Sequence, residues 1–300
     1  MGNAKLENMS IRISTFYTLP VFLLTFLPSL FSQTNSIDSL ISVYKNDDQN
    51  PINIIKIGEA YAAEKKWDLA INFYEKLVRI DPNNSDYLYR LGGTQAAYSE
   101  VVSKFKVLPL INTAKRNLIK SASLNKQHIY SRWALVQILT ELPQILGGNK
   151  DDAQDYCHEI LKISKVHGLL SYHYFHSFQR NEKKTIEFEK KIIDSVTYNP
   201  VLFDFNYFNF VVGKILANQN HKKYNTLSIK YLERYLSHYS SADRFSLDET
   251  YYLLAYSNFK LGNDNSRYFI KLSKEVSMNS EKRNYSLIKK IDELNKLINR

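Results

Sequence analysis

The chain has 300 residues, 44% of them apolar and 13% aromatic, with 9 Gly and 7 Pro. This composition supplies ample material for a core and argues against a disordered chain or a turn-rich β-sandwich. The length exceeds what one hydrophobic core usually spans, so two domains or an elongated repeat array is expected. A net charge of +10 would favour anionic surfaces or nucleic acid through counterion release. However, no block of five basic residues occurs, and Lys and Glu mix through Lys183–Lys191 as on a solvated helix face, so nucleic acid is not an expected partner.

The first segment differs from the rest. Phe16 to Phe31 is almost wholly apolar, follows Arg12 and gives way to the polar Ser32–Ser36, the pattern of a secretory signal peptide. The run is short for a span of ~20 residues and is interrupted by Pro20 and Pro28, so a cleaved signal over residues 1–32 is preferred to a retained anchor. Cleavage is expected after Ser32, and Met9, just before Arg12, makes a more typical basic start than Met1. No Cys stands at the cleavage point for a lipid anchor, and Leu6 replaces the Ser or Thr that myristoylation wants. The expected destination is the periplasm or the medium, which leaves room for peripheral association with the envelope. Cys157 is the only cysteine, so no intramolecular disulfide exists, and its apolar helical setting makes it a small core residue.

Residues 33–50 read as a short leader or a first helix. Pro51 to Asn84 then has the arithmetic of a helix-turn-helix unit of thirty-four residues. Gly58 and Ala70 are small where two antiparallel helices would touch, Tyr61 and Tyr74 fill the gap between them, and Asp81 and Pro82 stop one helix and start the next. With Ile57, Gly58 and Tyr61 in the first helix, Ala70 and Tyr74 in the second and Pro82 closing the unit, this stretch resembles the tetratricopeptide repeat (TPR) family. Leu77 stands where that family has a small residue.

A second copy starts at Ser85, with Leu91 and Gly92 repeating Ile57 and Gly58 at a spacing of thirty-four. Its second helix, marked by Ala114, Leu118 and Ser121, falls about ten residues late, which points to an insertion from Glu100 to Ile111. Such an insertion is either a padded loop or a working face. A third unit runs from Ile129 through Trp133 and Leu135, turns at Pro143, Gly147 and Gly148, and resumes with Ala153, Cys157 and Ile160. The two glycines follow no strand and precede no Lys-Ser/Thr pair, so they are not a phosphate loop.

From residue 166 the repeats are degenerate. Leu170–Phe178 and Lys183–Ile193 read as a helix pair and Val201–Leu216 as a helix, although Phe203, Phe205 and Tyr207 alternate as a strand would. Leu227, Ile229, Leu232 and Leu236 make an amphipathic helix, Ser246 and Glu249 a capping box, and Leu254, Ala255 and Gly262 a last repeat. Glu281–Arg300 closes the chain as a capping helix. The organisation is therefore TPR repeats one to three over 51–165 and degenerate repeats with a cap over 166–300. The resemblance implies an all-α, right-handed superhelical solenoid of antiparallel helix pairs.

No catalytic constellation stands out. His173 and His176 share a helix face, but no HExxH pattern or second Cys accompanies them; Cys157 and His158 diverge on a helix; Asp151, Asp152 and Asp155 suit a helix start. No metal, cofactor or enzymatic activity is expected. TPR proteins that grip a terminal carboxylate use Lys and Asn where this chain has Ile55 and Glu59, so that mode is not implied. The same register places Glu59, Tyr89, Tyr130, Trp133 and Gln137 on the inner face, a mix of aromatic and polar groups suited to a protein or peptide partner. A different class of function is also open: a periplasmic accessory protein holding a small ligand in a helical pore, for which the aromatic density from Tyr172 to Phe210 would serve.

Overall fold

The computed structural model describes residues 37–219, 221–240, 243–280 and 283–299. The expected signal peptide, its cleavage point and both candidate starts lie outside these residues. Among the described residues there are fourteen α-helices and one 3-10 turn, and no strand.

The leader is a helix, α1 (Ile37–Asn46). Six hairpins follow: α2 (Pro51–Ala63) with α3 (Trp67–Ile80), α4 (Ser85–Ser99) with α5 (Lys104–Leu124), α6 (Ile129–Glu141) with α7 (Lys150–Ile163), α8 (Lys165–Phe178) with α9 (Glu182–Tyr198), α10 (Asn206–Ala217) with α11 (Lys222–Ser237), and α12 (Leu247–Leu261) with α13 (Asn265–Asn279). The last helix, α14 (Tyr285–Ile298), buries Leu287, Ile291, Leu294 and Ile298 against the final hairpin. First helices also touch first helices, α4 against α6, α6 against α8 and α10 against α12, as stacking of repeats into a solenoid requires.

Asparagine starts many of these helices. Asn50, Asn84, Asn149, Asn181 and Asn284 each accept a hydrogen bond from a backbone N–H of the first turn, satisfying donors that the helix itself leaves open. Asp81 does end α3, but Asn84 rather than Pro82 starts α4. Three first helices end alike. Lys65, Arg180 and Gly262 lie in the left-handed region (φ 58°, 56° and 74°), and the N–H groups of each and of its successor bond back to carbonyls three and five residues earlier, the Schellman arrangement.

The close approach of paired helices follows the small residues. A Cβ on Gly58 would lie 2.5 Å from the Tyr74 ring, and one on Gly92 would lie 2.9 Å from the Ala114 carbonyl. Tyr74 is fully buried, as are Leu77, Ala114, Leu118, Ala153, Cys157 and Ile160. Between the second and third hairpins, Arg132 is buried and ties four groups together. Its guanidinium donates to the carbonyls of Ala122, Asn125 and His128 and to Glu159, at 2.7 to 3.1 Å.

Four expectations need correction. The Glu100–Ile111 insertion is not a loop, because from Lys104 onward it is the first two turns of α5, continued through Pro109. Residues 201–205 are not helical: Asn209 accepts from the Phe203 N–H at 3.1 Å and donates to its carbonyl at 2.8 Å, holding that stretch extended until α10 begins. The fully buried face of α11 runs through Asn225, Ser228, Tyr231, Leu232 and Tyr235, so that of the expected apolar stripe only Leu232 is fully covered, while Leu227, Ile229 and Leu236 are partly buried at its sides. Ser246 does precede α12, but its side chain makes no cap bond and Glu249 pairs instead with Lys214 at 2.7 Å.

Candidate binding site

The sequence-derived inner-face residues fall in two places. Glu59 on α2 is buried and accepts from Arg90 on α4 at 2.6 Å, while Arg90 also donates to Asp86 at 2.7 Å. Burial raises the Glu59 carboxyl, with the Arg90 guanidinium opposing it. This pair joins the first hairpin to the second.

Tyr89, Tyr130, Trp133 and Gln137 gather in the middle of the array. Tyr89 packs on His128 and Tyr130, with ring centres 5.0 and 6.2 Å apart. Half-buried Tyr130 reaches Phe205, and Trp133, 1% exposed, stands among Tyr174, Tyr207 and Phe208 at 4.8 to 5.5 Å. The aromatic run from Tyr172 to Phe210 supplies this core, with Phe203, Phe205, Phe208 and Phe210 all buried.

Sequence reasoning missed the charged groups at the same place. Every residue of α6 from Ser131 to Glu141 is buried, and the last of them is an acid whose side chain is 0% exposed. Arg244, before α12, brings a guanidinium nitrogen 4.0 Å from Glu141 Oε1. Glu100, at the end of α4, is close enough to be raised by Glu141. Burial first, then Glu141, pushes its carboxyl up to about 9 against the pull of Arg244. Burial pushes Glu141 up to about 8, again opposed by Arg244. The available signal was a lone acid ending the apolar run Trp133–Leu142, since such a residue is rarely buried without a reason.

The residues weighed for chemistry are otherwise occupied. Cys157 is buried, and burial pushes its thiol up to about 12; His158 beside it is exposed. Burial pushes His167 down to about 4, between Phe203 and Phe208. His176 stacks on Phe188, and His173 faces Glu189 at 3.5 Å. Among the described residues no three His, Cys, Asp or Glu side chains are grouped to hold a metal ion, and no helix is long and apolar enough to cross a membrane.

The second feature is on the surface. The helical insertion carries Val101, Phe105 and Leu108 exposed, with Phe105 94% open to solvent. In α5 the core side is taken by Val107 and Ile111, which leaves Phe105 and Leu108 as an apolar edge that core packing does not explain.

Stacked helical hairpins define a repeat-solenoid protein. Residues 54–84 match the family model described as tetratricopeptide repeat, over the unit whose spacing carried the resemblance. Tetratricopeptide-repeat proteins generally act as scaffolds for protein–protein interaction and are typically not enzymes. The fold is similar to that of a tetratricopeptide repeat protein from Parabacteroides merdae (13% identity, TM-score 0.45, covering 88% of this chain and 91% of that one). It is also similar to MamA (21% identity, TM-score 0.36, covering 60% and 93%) and to YrrB, described as a TPR protein with an unusual peptide-binding site (14% identity, TM-score 0.25, covering 53% and 93%). No curated protein matches the sequence.

Proposed function

We propose that this protein is an exported scaffold that docks a protein partner in the cell envelope through the edge formed by Val101, Phe105 and Leu108. The observation that carries the reading is the exposure of Phe105 and Leu108 on the inserted turns of α5, while Val107 of the same turns packs on the core. An aromatic ring left in water is an anchor of the kind that dominates interface energetics once covered. Export is supported by the apolar run Phe16–Phe31 and its flanking Arg12. Removal of that segment leaves a chain of about +9 from the sequence's +10, which would favour an acidic partner surface through steering.

The test is a photo-crosslinker placed at position 105 in the chain expressed from its own start in an envelope-bearing host. One stoichiometric adduct is expected, and Leu108→Asp should reduce it at least tenfold while the circular dichroism spectrum stays helical. An adduct unchanged by Leu108→Asp would overturn the docking edge. A recovered chain that still carries Phe16–Phe31 and fractionates with the cytoplasm would overturn export.

A further inference from the structure

The middle of the solenoid carries a second site, independent of the docking edge. Trp133, Gln137 and Glu141 stand four residues apart on α6 and so form one stripe, spanning about 12 Å of helix rise. Trp133 Nε1, Gln137 Oε1 and both Glu141 oxygens are buried with no hydrogen-bond partner among the described residues. Glu100 Oε1, Arg244 Nη1 and the Tyr174 hydroxyl, brought in by α4, the approach to α12 and α8, are in the same state. Native interiors leave only a few polar atoms unpaired. Seven of the atoms in this state among the described residues lie on this stripe or on the elements beside it, where Trp133 packs against the Tyr174 and Tyr207 rings.

The chemistry of the set is directional. At the Glu141 end two carboxyls stand by one guanidinium, and once ionised their oxygens would be satisfied by a group with several N–H donors and a positive charge. At the Trp133 end an indole N–H and a phenol hydroxyl ask for an acceptor. Arg244 is 22% exposed along its side chain and Glu100 is half-buried, so this end meets solvent.

We propose that this stripe binds a small elongated amine with an acceptor at its far end. The ammonium sits between Glu141 and Glu100, the aliphatic body lies over Gln137, and a carboxylate or carbonyl takes the Trp133 and Tyr174 hydrogens. Because burial keeps both acids protonated when the site is free, docking of an ammonium makes them ionise, and protons leave on binding.

Calorimetric titration of the purified chain with 6-aminohexanoate, hexylamine and hexanoate tests this. Saturable binding of 6-aminohexanoate is expected, at least tenfold weaker binding of hexylamine, and none of hexanoate. The heat should vary with buffer ionisation enthalpy at pH 7 as protons are released. Glu141→Gln should weaken binding at least tenfold and cut the proton release. Glu100→Gln, at a partly exposed position, does the same where the first variant fails to fold. Absence of binding by both amines, binding of hexanoate as tight as that of the amines, or affinity and proton release unchanged in both variants would each overturn the proposal.

Discussion

The first hairpin and the middle of the array solve the same packing problem on different scales. Around α2 and α3 the core is more local: Ile54, Ala62, Trp67, Ala70, Ile71, Tyr74 and Leu77 cluster within one repeat and are joined by Tyr44 of α1 and by Tyr87, Leu91, Ala97 and Tyr98 of α4. In the middle a single cluster runs from Tyr89 to Tyr231 and draws on eight helices from α4 to α11. A local core is a unit that folds and fails by itself, whereas a core shared across hairpins makes them one cooperative body. Charge is buried in both places: as the Glu59–Arg90 pair where the first hairpin meets the second, and as Glu141 facing Arg244 in the shared core.

The largest effect that would break this contrast is truncation of the two cores. Phe208→Ala and Tyr74→Ala each remove a fully buried ring and should each cost about 3–5 kcal/mol. The range of the damage should differ: amide exchange should rise from α4 through α11 in the first variant, but over α2 and α3 alone in the second. Equal spread in both would erase the distinction between local and shared cores.

The buried acids give a smaller effect with a definite sign. Both carboxyls are raised in the folded state, Glu100 to about 9 and Glu141 to about 8, from an ordinary 4.5. The folded chain therefore holds protons that the unfolded chain has released above that value. Their contribution to stability is complete below about pH 4.5 and is lost as pH rises toward 9. Glu141→Gln should flatten this part of the profile and be more stable than the parent at pH 9, measured by urea titration. A steeper loss in the variant would contradict the assignment.

The smallest effect sharpens the end of the comparison. Lys65 holds a left-handed conformation after α2 that Gly262 holds after α12, and a side chain there carries strain. Lys65→Gly should therefore leave the first hairpin as stable or up to about 1 kcal/mol more stable, the relief of strain offsetting glycine's greater entropy when unfolded. A loss above that size would mean the Lys65 side chain holds the turn.

Legibility in the sequence followed the same division. The hairpin of Gly58, Ala70 and Tyr74 was readable because its contacts fall inside one repeat and impose a fixed spacing, and Ala153, Cys157 and Ile160 were readable for the same reason. Contacts across hairpins leave no such spacing. Asn209, six residues from Phe203, delays α10 by a side-chain-to-backbone bond, and the tyrosines of α11 take its fully buried face. The Schellman turn could be read at Gly262 but not at Lys65 or Arg180, where the same conformation is occupied by residues that rarely adopt it. Of the middle site, Trp133 and Gln137 were visible through the register of α6. Glu100, Glu141 and Arg244 come from three elements far apart in the chain, and only the fold puts them together.

Arg132 has a mechanical meaning as well as a chemical one. A solenoid flexes at the joints between repeats, and each joint is as stiff as the bonds that cross it. Apolar contacts at a joint can slide by a fraction of an ångström without breaking. At the joint of α5, α6 and α7 a planar guanidinium is fastened to three carbonyls and a carboxylate, and its geometry allows no such sliding. The passage from the second hairpin into the third is thereby held more stiffly by one side chain than apolar contacts alone would hold it.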